Sequence, residues 1–180
     1  SSNCIRRNCD TCHEMRIAVI VGSTWPAQPN ARRRLFAGLN SLVSNLDAWE
    51  MVCGDASIAE KWVAEWAQRY IGKHPGQYRF EQLTAKINAY GKAHPVKGNR
   101  KQATAERDGK LLVGAQALFA VWDECEWRPA NILREARAND IEIRILRYER
   151  IDVPGNQHRR AKFVRRQQEW DQGSGSDEAQ

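Results

Sequence analysis

No apolar run in this chain approaches the roughly 20 residues that would span a bilayer, so no membrane-crossing helix and no membrane partner are expected. The amino-terminal stretch Ser1 to Glu14 also lacks the apolar segment of a signal peptide, being polar and cysteine-bearing, and the expected location is cytoplasmic. Cysteines number only five in 180 residues, at 4, 9, 12, 53 and 125. An odd count in a chain too long to need stapling is no disulfide framework, and reduced thiols are expected. Acidic residues fall short of basic ones, 22 against 28, for a formal charge of +6. That balance favours anionic ligands without distinguishing nucleotides, nucleic acid or bulk counter-ions. What is present, 42% hydrophobic and 28% charged residues, is ordinary for a globular protein with one core, with or without tails.

The chain is organised around MRIAVIVGSTW, Met15 to Trp25. Ile17 to Val21 is β-branched and too short for an ordinary helix, and it empties into Gly22-Ser23-Thr24, which predicts a buried parallel strand followed by a tight turn. In open α/β sheets a ligand is held at such a strand end, where backbone N–H groups and the next helix can bind an anion. Asn30 is the expected cap of a helix running to about Asn45, with Leu35, Leu39, Leu42, Val43 and Leu46 on its packed face. Arg32-Arg33-Arg34 near its start opposes the helix dipole, a mild cost that makes sense if the arginines face an anion; the plainer alternative is a solvated basic face.

The same grammar recurs. Ala48 to Cys53 predicts a strand, Gly54-Asp55-Ala56-Ser57 a turn with Asp55 and Ser57 suited to capping, and the following helix carries Glu60 in its first turn, with Trp62 and Trp66 in the core. Tyr78 to Leu83 alternates as a strand. Asn99 is a candidate cap, with Arg100 and Lys101 at the start of the next helix. Ala115 to Trp122 is a buried strand ending at Asp123, Pro129 suits a helix start, and the alternating Ile141 to Leu146 predicts an edge strand. Strands separated by helices of this size predict a Rossmann-like three-layer α/β sandwich with a mostly parallel sheet.

The flanks differ from this core. Residues 1–14 form an extension carrying Cys4, Cys9, Cys12 and His13. The Cys9-Asp10-Thr11-Cys12-His13 run matches a c-type haem attachment pattern, whose chemistry belongs with secretion, and a zinc site would need adjacent Cys12 and His13 to bend around one ion. A tail with spare thiols is expected, with no cofactor and no metal. Residues 153–180 form a basic stretch, His158 to Arg166, then GSGSDEAQ; the basic stretch reads either as a solvated helix packed through Phe163 and Trp170 or as an arm for RNA or DNA.

Four segments in order resemble the YspA-like branch of the SLOG superfamily, Rossmann-like proteins related to the lonely-guy and YpsA groups: MRIAVIVGSTW, GDASIAEKWVAEWA, AYGKAHPVKGNRKQ and NILREARANDIEIRIL, covering about Met15 to Leu146. The resemblance implies a domain over 15–152 that binds a nucleotide or nucleotide derivative. By motif it implies contacts from Gly22, Ser23 and Trp25, from Gly54, Asp55, Ser57 and Glu60, and from Asn99 and Arg100. Asp55 and Ile58 stand where the pattern has glycines, Arg128-Pro129 stands in place of its Gly-Thr, and the lonely-guy Pro-Gly-Gly-x-Gly-Thr-x-x-Glu signature is absent. A side chain at a close-approach glycine position blocks the backbone, and Asp55 repels phosphate. Two alternatives accompany nucleotide binding: an N-glycosidic or phosphoribosyl hydrolase, in which Glu60 and then Asp55 would be the catalytic carboxylates, and a nucleic-acid-associated protein using the basic tail. Hydrolysis of the lonely-guy kind is not expected, because capping explains both carboxylates and the glycine cradle is missing. Oligomeric state is not legible.

Overall fold

The computed structural model describes residues 14–85 and 97–148, with only the backbone of 97–102. Strands and helices alternate: β1 (Met15–Val21), α1 (Pro29–Val43), β2 (Ala48–Cys53), α2 (Ile58–Lys73), β3 (Gln77–Gln82), α3 (Lys97–Leu111), β4 (Ala117–Trp122), α4 (Trp127–Ala138) and β5 (Glu142–Arg147). All strand pairings are parallel, in the order β3-β2-β1-β4-β5, which makes the domain a three-layer Rossmann-like sandwich.

The layering follows from strand periodicity. Ile17, Val19 and Val21 of β1 point into one core with Leu35 and Leu39 of α1 and Val63 and Trp66 of α2. Ala18 and Ile20 point into the other, with Leu111, Ile132, Leu133 and Ala136 from the α3 and α4 side. Because both faces are covered, β1 and β4 read as continuous apolar runs, whereas β3 and β5 at the sheet edges alternate.

The element boundaries carry corrections. The cap of α1 is Gln28, without a side-chain hydrogen bond, because Pro29, whose fixed φ suits a first helical position, starts the helix before Asn30. Helix α3 begins at Lys97, so Asn99 lies inside its first turn and is not its cap. Ser57 does cap α2, accepting from the Glu60 amide at 3.2 Å, while Asp55 pairs with Arg107 at 2.9 Å. The amino-terminal cysteines with His13, the Ala89–Val96 part of the family-like segment, and the basic tail lie outside the described residues.

Candidate functional site

The order β3-β2-β1-β4-β5 reverses direction between β1 and β4, so their following loops part and leave a crevice at the carboxyl ends of the strands. The first turn forms one wall. Gly22 donates its amide to the Val121 carbonyl at 2.8 Å, and a Cβ there would lie 2.8 Å from the Tyr148 hydroxyl and 3.2 Å from Glu126 Oε2. Beyond it the chain turns its donors outward. The Ser23 amide donates to Glu126 Oε2 at 2.9 Å, and the Ser23 hydroxyl and Thr24 amide donate to Glu126 Oε1 at 2.6 and 2.9 Å. Three converging donors make an anion cradle, and the anion it holds is the protein's own carboxylate.

The loop after β4 is built to deliver that carboxylate. Asp123, buried at the strand end, accepts through Oδ1 from the amides of Cys125 at 2.8 Å and Glu126 at 3.1 Å, a local turn that orders the loop. Glu124 takes a left-handed backbone with φ 63°, uncommon for a non-glycine residue. The Thr24 hydroxyl donates to Asp123 Oδ2 at 2.7 Å and therefore accepts from the Tyr148 hydroxyl at 2.7 Å, tying β1, β4 and the end of β5 together. Trp25, an expected ligand contact, is buried edge-on to Tyr148, with ring centroids 4.8 Å apart.

A second network closes the crevice over β2. Glu60 is fully buried; Oε1 accepts from Arg128 Nη1 at 2.7 Å and from the Val21 amide at 3.3 Å, and Oε2 accepts from the Ala56 amide at 2.6 Å. Ser57-x-x-Glu60 is thus a capping box whose glutamate reaches back past the cap residue to Ala56 and across to β1. Arg128 also donates to Asp108 at 2.9 and 3.1 Å, and Arg107 bridges Asp108 and Asp55. Gly54 lies beneath: a Cβ there would meet Glu60 Oε2 at 3.1 Å, Arg128 Nη2 at 3.2 Å and Arg107 Nε at 3.4 Å. A groove of about 300 Å³ between α3 and α4, lined by Thr104, Asp108, Arg128, Asn131 and Glu135 among others, reaches this network from the side.

Charge distribution has chemical consequences. Burial alone would lower the Arg128 pKa, but Glu60 and then Asp108 raise it above the ordinary arginine value, so the guanidinium stays protonated. Burial, and next the Glu60 charge, push the Cys53 thiol well above its usual range, which leaves it a neutral, unreactive group at the end of β2. Both oxygens of Glu60 are engaged by protein donors, whereas the Asp55 side chain keeps 30% of its surface exposed beside Arg107. Among the described residues, Asp55, Glu60, Asp108, Asp123 and Glu126 outnumber Arg107 and Arg128, so their summed charge opposes a phosphate entering with Glu126 still in place.

Among the expected site residues, Gly22, Ser23, Gly54, Ser57, Glu60 and Asp55 converge on this crevice, while the side chains of Asn99 and Arg100 lie outside the described residues. Glu126, Arg128, Arg107, Asp108, Asp123 and Tyr148 were not anticipated there. The available signal was the Asp123-x-x-Glu126-x-Arg128 cluster directly after a wholly apolar strand. No protein-family model matches the chain, and no curated protein matches it in sequence.

Proposed function

We propose that this protein binds a nucleotide or nucleotide-derived small molecule in the crevice between the carboxyl ends of β1 and β4. The observation that carries the reading is the occupied cradle: the Ser23 and Thr24 amides and the Ser23 hydroxyl already hold a carboxylate at 2.6–2.9 Å. Donors pre-aimed at one anion lose little freedom when they hold another. In this reading a ligand phosphate takes the place of the Glu126 carboxylate, and Asp55 is available to accept a ligand hydroxyl. Ser23 is exposed and Glu126 half-buried, so the exchange needs no opening of the core.

The reading is one of binding and not of hydrolysis. A carboxylate that stabilises an oxocarbenium-like sugar must face it, and Glu60 faces Arg128 and two backbone amides. Native mass spectrometry of freshly purified protein tests for a co-purifying nucleotide. Thermal shift with nucleoside mono- and diphosphates, ADP-ribose and dinucleotides then tests for added ligand. At least one of these should raise Tm, and Ser23→Ala should reduce the rise. No shift from any of them at millimolar concentration refutes the proposal. Release of free base from a nucleotide, lost in Glu60→Gln, would instead support the hydrolase alternative.

A further inference from the structure

The three consecutive arginines of α1 do not share one role. Arg34 reaches over the Trp25 ring, 5.8 Å from its centroid, and donates to the Arg147 carbonyl at 3.4 Å. Arg32 and Arg33 turn the other way, onto the stripe Pro29, Arg32, Arg33, Phe36, whose spacing of three and four places it along one helix face. Facing it on α2 are Trp62, Glu65 and Arg69, again three and four apart. Farther along, the two helices meet where Trp66 Nε1 donates to Asn40 Oδ1 at 2.9 Å. At the other end they leave a cavity of about 390 Å³, lined by Arg32, Arg33, Arg69, Phe36 and Trp62, with Ala27 to Pro29 at its lip.

The electrostatics of this cavity are one-sided. Glu65 pairs with Arg32 and, at 2.6 Å, with Arg69, so one carboxylate serves two guanidiniums. The Arg33 side chain is exposed and makes no hydrogen bond or ion pair among the described residues. Three arginines against one glutamate leave a local excess of positive charge. The first turn of α1 holds no acidic residue and its cap makes no side-chain bond, so the helix start itself does not offset it. The Arg32 guanidinium is fixed 5.3 Å from the Phe36 ring centroid and 5.9 Å from that of Trp62, so its position is set by aromatic contact as well as by Glu65. Arginine held on aromatic walls suits recognition of a phosphate group, whose oxygens match the guanidinium fork.

We infer that the cavity between α1 and α2 is a second anion site, separate from the crevice, that takes a ligand bearing two or more phosphate charges, with Arg33 as its unneutralised contact. This inference does not rest on the nucleotide reading of the crevice.

The test is isothermal titration of inorganic pyrophosphate, and separately of a nucleoside diphosphate, into the full chain and its variants at low and moderate salt. At least one of the two should bind, with affinity falling as salt rises. Arg33→Ala should weaken it by about tenfold or more, the weight of one charge-assisted hydrogen bond. Arg144→Ala, which removes an exposed charge on β5, is the control for a diffuse electrostatic effect. Pyrophosphate binding assigns the site to the free anion; binding of the nucleoside diphosphate alone, with Arg33 dependence, assigns it to a phosphate ester. Absence of binding by both, equal losses in Arg33→Ala and Arg144→Ala, or insensitivity to Arg33→Ala overturns the inference. Arg33 has no side-chain partner among the described residues, so its removal should leave the fold intact, which an unchanged circular dichroism spectrum checks.

Discussion

Replacing Glu60 by glutamine tests whether the buried carboxylate is structural. The side chain is wholly buried and accepts from Arg128 at 2.7 Å, the Ala56 amide at 2.6 Å and the Val21 amide at 3.3 Å. Glutamine keeps the volume but replaces one accepting oxygen by an NH2, which must then face a donor, either a backbone amide or the guanidinium. One charge-assisted bond is lost and one buried donor is left unpaired, which together cost about 2–4 kcal/mol. Against a total stability of about 5–15 kcal/mol for such a domain, that lowers Tm by about 5–15 °C. Glu60→Ala should cost more, about 3–5 kcal/mol, because Arg128 then keeps only Asp108 among the described residues in a largely buried setting. A cycle with Arg128→Met isolates the pair: the double variant should be more stable than the two single losses sum to. Chemical denaturation of the four proteins reads all of this. A Glu60→Gln variant within about 0.5 kcal/mol of the parent, or a more stable one, would refute the structural assignment, since removing a strained functional carboxylate often stabilises.

Cys53, buried at the end of β2 with its pKa pushed up, should resist thiol labelling in the folded protein at neutral pH. Its contribution to stability is full below the ordinary thiol pKa and is lost as pH rises, because the unfolded chain releases the proton first; denaturation curves from about pH 8 to 10 should therefore fall more steeply for the parent than for Cys53→Ala. Glu124, at φ 63°, should tolerate glycine, whereas Glu124→Val should be less stable than Glu124→Gly by about 1–3 kcal/mol in the same assay.

Local chemistry made the layers legible. Strand β2 spans the expected Ala48 to Cys53, Ser57 caps α2, and the apolar runs of β1 and β4 are the central strands because helices cover both their faces. Boundaries moved where a stronger local rule acted, as at Pro29, whose fixed φ starts α1 ahead of the asparagine that resembled a cap. The site was legible by half. Gly22, Ser23 and Glu60 announce themselves beside turns, but their partners Glu126 and Arg128 lie 103 and 68 residues away, across the sheet, where no periodicity reports a contact. The Arg128 guanidinium lies over Gly54 and pairs with Glu60 at 2.7 Å, so an ion pair closes the β2 side of the crevice.

If the β1 turn is an anion cradle in which Glu126 stands in the place of a ligand phosphate, removing the Glu126 charge should open it to that phosphate. Calorimetric titration of a nucleoside monophosphate into the parent protein and into Glu126→Gln, which retains an accepting oxygen but no charge, tests it most directly. Binding to Glu126→Gln should be tighter, by about tenfold or more, because the resident anion no longer competes and the local negative charge is reduced. Equal affinity in the two proteins, or no binding to either, would contradict it.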